Sequence, residues 1–201
     1  MKIVFYGGTF NPPHLGHRSV LLTIKEYLNP DLLLVVPNRV NPFKDGDVQD
    51  LTPRQRLDLC RIAFGDIPGV EISDIEIKRR GKSRTSDTVE LLKKQYEDAD
   101  ITLVIGSDLL EHFDEWNRFD YLAENCTIAV LSRSSGDDSL IDGQMERLKA
   151  KCSGLRITKI PHTPIEASST QIREQLSAGQ EPSGLDERVY EEIIKHHYYQ
   201  K

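Results

Sequence analysis

The chain has few cysteines, one tryptophan and no long apolar run. Its 201 residues include only three cysteines, Cys60, Cys126 and Cys152. Because they are odd in number and far apart, neither a disulfide framework nor a four-cysteine zinc site is expected. No stretch approaches the ~18 apolar residues of a membrane-spanning helix, and residues 1–5 lack the apolar segment of a signal peptide. These absences predict a cytoplasmic protein without a membrane partner.

An excess of positive charge is also missing. Lysine and arginine number 26 against 32 aspartates and glutamates, which leaves a net charge of -6. Because duplex nucleic acid requires a basic stripe, no nucleic-acid partner is expected. Any phosphate that the protein binds must be held by a few local groups.

Short β-branched runs alternate with longer amphipathic stretches along the whole sequence. Several of the runs are apolar on both faces, as in a parallel sheet with helices on both sides. The pattern predicts a doubly wound, Rossmann-like α/β sheet, mostly parallel, with a C-terminal helical portion and a single domain over residues 1–201. Six strands are predicted, near residues 2–6, 31–36, 70–77, 101–105, 126–131 and 155–160.

Capping residues mark where helices begin. Thr52 and Gln55 flank a proline and predict a capping box for a helix that ends near Gly65. Further helices are predicted up to about residue 28 after the first turn, and near residues 86–96, 138–150 and 186–197. In such sheets, ligands bind beyond the carboxyl ends of the strands where the strand order reverses.

The turn after the first strand, residues 7–17, has the sequence GGTFNPPHLGH. Its two leading glycines let the backbone approach a ligand, and backbone N–H groups at a helix N-terminus form an anion site. It matches neither the dinucleotide nor the Walker phosphate-binding pattern. His14 and His17 are three residues apart and would point the same way on one turn of helix.

Three interpretations of this histidine pair are open. The pair could bind zinc, although no nearby cysteine or carboxylate completes a ligand set. It could cap the helix in a purely structural role. The third interpretation, which we favour, is that the imidazoles donate hydrogen bonds to phosphate charge that grows during group transfer.

A second polar motif, Ser168-Ser169-Thr170-Gln171-Ile172-Arg173, follows the sixth predicted strand. Ser168 and Gln171 fit a capping box, which is a purely structural interpretation. Arg173 lies one turn into the helix, so that hydroxyls, backbone N–H groups and a guanidinium could converge on a polyphosphate.

Together the two motifs resemble the nucleotidyltransferase superfamily, which is marked by a G-T-F-x-P-x-H-x-G-H turn and a late S-S-T-x-I-R helix start. Residues 8–17 match the first with Asn11 in place of the usual aspartate, and residues 168–173 match the second in full. From end to end the chain resembles the bacterial nicotinate mononucleotide adenylyltransferases. The further similar segments are residues 37–44, 81–88, 105–108 with Trp116, and 196–199, with departures at Asn41, Phe43 and Arg84.

The resemblance implies transfer of AMP from ATP to nicotinate mononucleotide, with Mg²⁺ accompanying ATP and no metal site on the protein. It implies catalytic roles for His14, His17 and Arg173. Implied ATP-binding residues are Gly7, Gly8, Thr9, Phe10, Gly106, Asp108, Ser169 and Thr170. Implied acceptor-binding residues are Asn38, Lys44, Thr85, Trp116 and Arg133.

Some alternatives remain open at this stage. Trp116 could be a packing residue instead of a stacking platform, and Asp108 could cap the helix that follows the fourth strand. The rival functions are transfer to nicotinamide mononucleotide or phosphopantetheine, cytidylyl transfer, and a nucleotide sensor without turnover. The oligomeric state is also open, with a homo-oligomer among the options.

Overall fold

The protein is described by a computed structural model covering residues 1–40, 51–79, 81–132, 136 and 138–200. The strands are β1 (Lys2–Gly8), β2 (Leu32–Pro37), β3 (Val70–Ile72), β4 (Asp100–Gly106), β5 (Cys126–Leu131) and β6 (Arg156–Ile160). The helices are α1 (Leu15–Leu28), α2 (Pro53–Phe64), α3 (Ile75–Lys78), α4 (Thr85–Gln95), α5 (Ser107–Leu110), α6 (Phe119–Asn125), α7 (Asp138–Lys151), α8 (Ser169–Ser177) and α9 (Glu187–Lys195). A 3₁₀ turn spans Phe113–Glu115.

The six strands form one sheet in the order β3-β2-β1-β4-β5-β6. The β1–β4, β4–β5 and β5–β6 pairs are parallel, with Ile3 opposite Ile101 and Leu103 opposite Ile128. This is the doubly wound order, and it confirms the predicted Rossmann-like class. The order reverses at β1 and β4, where Gly7 and Gly106 lie at the carboxyl ends of the strands.

The third strand is shorter than predicted, because it ends at Ile72 and not at residue 77. A single helical turn, α3, follows it. The Ser73 hydroxyl accepts a hydrogen bond from the Ile75 N–H at 3.4 Å, and the Asp74 carboxylate pairs with Lys78 at 3.0 Å. These local polar bonds favour a turn of helix over continued pairing in the sheet.

The predicted long helices are confirmed within about two residues at each end. The capping box at Thr52 is present in both directions, with the Gln55 N–H donating to the threonine hydroxyl and the Thr52 N–H donating to the glutamine oxygen. α6 and the 3₁₀ turn were not predicted, because a segment of three to seven residues is too short for helical periodicity to be visible.

By the density of its internal contacts the chain divides into two compact units. The first unit comprises residues 1–7, 23–34 and 84–164, and the second comprises residues 8–22, 35–83 and 165–201. In the first unit, the apolar strands β4 and β5 are buried, α4 packs on α6, and α5 packs on α7. In the second unit, α2 packs on α9 through fully buried residues such as Leu57 and Ile193.

Within the described ranges, no helix combines the length and the apolar character that a membrane span requires.

Candidate active site

In the second unit, the turn after β1 is fixed by one buried aromatic ring. Phe10 has a positive φ of 50° and is 2% exposed. A Cβ on Gly8 would lie 2.9 Å from this ring, so only glycine fits there. The Gly8 carbonyl accepts from the Asn38 N–H at 2.9 Å, and the Thr9 hydroxyl accepts from the Asn38 side-chain amide at 3.1 Å. The backbone of the turn therefore has a single well-supported conformation.

The two histidines lie against each other, as their spacing predicts. Their ring centroids are 3.7 Å apart, and the His17 ring also meets the edge of Phe10 at 4.9 Å. The His14 N–H donates to His17 Nδ1 at 3.2 Å. Because a backbone N–H can only donate, His17 Nδ1 must be unprotonated, and the proton of the neutral ring is on Nε2. His17 thus stabilises the start of α1 and still carries one N–H donor.

Gly16 is closely packed against the His14 ring. A Cβ at this position would lie 3.0 Å from the His14 ring and 3.2 Å from the Ile165 carbonyl oxygen. No group of three or more histidine, cysteine, aspartate or glutamate side chains that could hold a metal ion occurs in the described part of the chain.

The start of α8 is joined to this turn although about 150 residues separate them in sequence. The Ser169 hydroxyl donates to the Pro12 carbonyl at 2.9 Å, and Arg173 Nη1 donates to the Asn11 carbonyl at 2.8 Å. Arg173 Nη2 lies 3.3 Å from the Thr170 hydroxyl. The structure therefore brings together the two motifs that the sequence singles out.

The capping box predicted at Ser168 is wrong in its bonds, although the helix boundary is right. Ser168 occupies the N-cap position, but its side chain makes no capping hydrogen bond. The neighbouring Ser169 hydroxyl is bonded to the β1–α1 turn and not to its own helix. The Ser169 hydroxyl at the start of α8 is thus used for a tertiary contact.

Arg56 is a further polar residue of this region that the sequence analysis missed. Its side chain is completely buried and donates to the Thr9 carbonyl at 2.5 Å, the Asn38 carbonyl at 2.6 Å and the Arg39 carbonyl at 3.2 Å. Burial lowers the pKa of this guanidinium. Arg56 ties the turn after β1 to the residues that follow β2. A basic residue on the apolar face of α2, one turn before Cys60, was the available signal.

In the first unit, Thr85 and Trp116 belong to segments that are tied together. The Ser86 hydroxyl donates to the Asn117 side-chain oxygen at 3.1 Å, which links the start of α4 to the residue after the tryptophan. Trp116 is half-buried, with one edge against Phe113 at a centroid distance of 5.1 Å. Packing thus accounts for part of its ring, and the residue as a whole keeps partial exposure.

Gly106 and Asp108 follow β4 in the first unit. Gly106 is the N-cap of α5, and no side chain caps this helix. Asp108 is exposed and lies inside the first turn of α5, so the alternative that it caps the helix is wrong. Lys44 and Arg133, predicted to hold the acceptor's phosphate, lie outside the described residues.

The sheet is parallel and doubly wound, a glycine turn follows its first strand, and a polar helix start follows its last strand. Together these features define a Rossmann-like nucleotidyltransferase fold. The chain belongs to the Cytidylyltransferase-like family, whose model matches residues 5–175. That match includes both predicted motifs.

Solved structures agree with this fold over nearly the whole chain. A Plasmodium falciparum nicotinic acid mononucleotide adenylyltransferase in complex with NaAD has a TM-score of 0.79 at 19% identity, covering 98% of this chain and 97% of that one. The same Plasmodium enzyme in complex with APC has a TM-score of 0.76 at 18% identity, with coverages of 98% and 96%. A Vibrio parahaemolyticus structure attributed to a nicotinate-nucleotide adenylyltransferase has a TM-score of 0.67 at 24% identity, with coverages of 96% and 98%.

Proposed function

We propose that this protein is a nicotinate-nucleotide adenylyltransferase. In the proposed reaction, a 5′-phosphate oxygen of nicotinate mononucleotide attacks the α-phosphorus of ATP. One phosphorus–oxygen bond forms, the bond to pyrophosphate breaks, and nicotinate adenine dinucleotide is released. Because the nucleophile is the acceptor's own phosphate, the protein needs to supply only positioning and charge stabilisation.

The observation that carries the proposal is the junction of the β1–α1 turn with the start of α8. The Ser169–Pro12 and Arg173–Asn11 hydrogen bonds place an arginine, two hydroxyl-bearing residues and the amides of a helix N-terminus beside the histidine turn. Such a combination suits a polyphosphate, because a guanidinium and the backbone amides of a helix N-terminus donate hydrogen bonds to anionic oxygen.

On the ATP side, His17 has the clearest proposed role. Its Nδ1 accepts from the backbone, so the N–H of the neutral ring lies on Nε2, and this group would donate to phosphate oxygen during transfer. Arg173 would neutralise charge on the phosphates, Ser169 and Thr170 would line the same ATP site, and Gly8 to Phe10 would offer backbone amides. Gly106 and Asp108, at the end of β4, would contact the adenosine ribose, which fits the exposure of the Asp108 carboxylate.

On the acceptor side, Trp116 would stack on the pyridine ring. An aromatic ring offers the flat surface that such stacking needs, and the Phe113 ring packs against the indole at a centroid distance of 5.1 Å. Thr85 would bond the nicotinate carboxylate. Asn38 would do the same, because its Nδ2 carries a second hydrogen besides the one donated to Thr9. Lys44 and Arg133 would bind the acceptor's phosphate.

Mg²⁺ would enter as part of the nucleotide substrate. The described residues contain no carboxylate and histidine group that could form a metal cage. Mg²⁺ keeps several waters and is commonly held through substrate phosphates. We therefore assign no protein ligand to it.

The direct test is pyrophosphate release in a substrate panel. ATP or CTP would be combined with nicotinate mononucleotide, nicotinamide mononucleotide, phosphopantetheine or glycerol phosphate in the presence of Mg²⁺. The proposal expects release with ATP and nicotinate mononucleotide and formation of the dinucleotide by mass. Release only with CTP, only with phosphopantetheine, or with no pair would favour the cytidylyltransferase, pantetheine or sensor alternative respectively.

A further inference from the structure

We propose that Tyr199 is a positioning residue for Arg173 and that it acts through Asn11. This inference rests on the proposed function only in taking ATP as the ligand of Arg173. Tyr199 lies in the tail that follows α9, 188 residues after Asn11. Its role is to fix the orientation of the peptide unit that holds the arginine.

Two hydrogen bonds converge on Asn11. The Tyr199 hydroxyl donates to the Asn11 side-chain oxygen at 2.6 Å, and Arg173 Nη1 donates to the Asn11 carbonyl at 2.8 Å. Asn11 is 9% exposed and Tyr199 is 8% exposed. The Tyr199–Asn11 bond therefore forms where water competes little, and its loss is costly.

Asn11 has no regular secondary structure to orient it. It lies in a bend between β1 and α1, so no strand ladder or helix fixes its carbonyl direction. The hydrogen bond to its side chain is thus a main constraint on how the residue sits. If Asn11 rotates, the acceptor that holds Arg173 moves with it.

The tail is built to bring Tyr199 to this position. α9 ends in a Schellman arrangement, in which Tyr198 N–H donates to the Ile193 carbonyl at 3.0 Å and His197 N–H donates to the Ile194 carbonyl at 3.1 Å. The Ser177 hydroxyl donates to the Tyr199 carbonyl at 3.1 Å. Since Ser177 is the last residue of α8, the same helix carries Arg173 and holds the tail.

The backbone of the tail is strained. His197 has φ 53° and Tyr199 has φ 61°, both in the left-handed region that residues with a side chain rarely occupy. The His197 value belongs to the Schellman end of α9, whereas the Tyr199 value lies beyond that motif and persists because the surrounding contacts impose it. Here the contact that it permits is the buried Tyr199–Asn11 bond.

The test measures ATP affinity directly. Isothermal titration calorimetry with Mg²⁺ and ATP would compare the wild type with Tyr199→Phe, which removes the hydroxyl and keeps the ring. We expect the dissociation constant of ATP to rise roughly tenfold, because a buried hydrogen bond to the support of Arg173 is lost. The matched control is Tyr198→Phe, which removes a hydroxyl from the half-buried neighbour that stacks on His196 and should leave affinity within about twofold.

A double-mutant cycle separates positioning from a general loss of structure. If Tyr199 acts through Arg173, then Tyr199→Phe should weaken ATP binding in the wild type but change it less than about twofold in an Arg173→Met background. An equal effect in both backgrounds would overturn the proposal. So would unchanged ATP affinity in Tyr199→Phe, or an equal loss in Tyr198→Phe.

The outcomes also distinguish this inference from the proposed function. A wild type that binds ATP without using nicotinate mononucleotide would contradict the proposed acceptor, while the cycle on ATP affinity would still decide the role of Tyr199. A wild type that does not bind ATP would contradict both.

Discussion

At the residue scale, the tautomer of His17 determines what its side chain can do. Nδ1 accepts from the His14 N–H, so the ring has one donor, Nε2–H, for a ligand. His17→Ala should lower turnover of ATP with nicotinate mononucleotide about 100-fold or more, which is the scale for removing one transition-state donor. Steady-state pyrophosphate release at saturating substrates measures this.

A second histidine provides the control for His17. His162 shares a 2.9 Å hydrogen bond with Thr23 in the first unit, and we assign it no substrate contact. His162→Ala should leave turnover within about threefold. If His17→Ala also stayed in that range, His17 would be a helix-capping residue only.

Arg56 supports the same turn because its buried guanidinium donates hydrogen bonds to several backbone carbonyls. Arg56→Ala would leave these acceptors without their donor, at a cost of about 1–3 kcal/mol each where no water replaces it. We expect the free energy of unfolding to fall by roughly 3 kcal/mol, as measured by urea denaturation.

Arg54, two residues earlier on α2 and on its exposed face, is the matched comparison. Its side chain is 66% exposed and pairs with Asp58 at 3.3 Å. Arg54→Ala should change the free energy of unfolding by less than about 0.5 kcal/mol. Equal effects of the two substitutions would show that the Arg56 contacts contribute little to stability.

The sequence predicted the contacts of single residues less completely than it predicted helices and strands. The histidine pair could be found because both members stand close in sequence beside glycines. Arg56 could not be assigned, because its acceptors are backbone carbonyls, which leave no trace in residue type. The Asn11–Tyr199 bond joins residues 188 positions apart, and nothing local marks either as a partner.

At the element scale, the 3₁₀ turn before Trp116 is anchored by charge. The Asp114 carboxylate accepts from Arg147 at 3.0 Å and from Lys151 at 2.6 Å, both on α7. Hydrogen bonds from Arg147 and Lys151 hold the pKa of Asp114 well below its usual value. This turn precedes the tryptophan, so the ion pairs support its position.

Because the pKa of Asp114 is lowered in the folded state, its ionised carboxylate stabilises the fold at neutral pH and stabilises it less in acid. A carboxyl group with a depressed folded-state pKa contributes fully above its unfolded pKa, about 3.9, and loses that contribution as pH falls through the folded value. Asp114→Asn should therefore be less stable than the wild type at pH 7, and the difference should narrow at pH 3. Urea midpoints at both pH values measure it.

Glu146 offers a control for this titration. It is 79% exposed and pairs with Lys149 at 3.4 Å. Glu146→Gln should differ little from the wild type at either pH. A difference for Asp114→Asn that is constant with pH would contradict an ionic anchor.

Elements with long periodic patterns were predictable, and short ones were not. α2 was predicted from its capping box, and the box is present. The third strand failed at Ser73, where side-chain bonds stabilise a helical turn that the alternating pattern of residues 70–77 does not reveal. Three to four residues carry too little periodicity for local competition of this kind to be resolved.

At the scale of the whole molecule, the proposed roles for the two substrates are distributed over distant stretches of chain. Trp116 is assigned to the acceptor, so Trp116→Ala should raise KM for nicotinate mononucleotide about tenfold and leave KM for ATP within about twofold. Offset stacking and lost apolar area account for a change of this size. Steady-state kinetics with each substrate varied in turn would measure both constants.

An exposed aromatic elsewhere tests whether this effect is specific. Tyr27, on α1, is 57% exposed and has no assigned substrate contact. Tyr27→Ala should leave both constants nearly unchanged. If Trp116→Ala weakened ATP alone, the stacking assignment would be wrong.

The doubly wound class of the sheet was predictable, because apolar strands that alternate with helices can be connected in only a few topologies. The division into two compact units was not predicted, because it depends on contact density, which composition does not report. The single-domain organisation over residues 1–201 stays a prediction.

The histidine turn also constrains which sequences can fold. Gly8 lies against the Phe10 ring and Gly16 against the His14 ring of the protein itself, before any nucleotide is bound. A randomised library selected only for folded protein, with no demand for turnover, would therefore still be enriched in glycine at position 8 and, to a smaller extent, at position 16. Invariance at these two sites would record internal packing as much as chemistry, and it could not by itself distinguish an active enzyme from an inactive descendant.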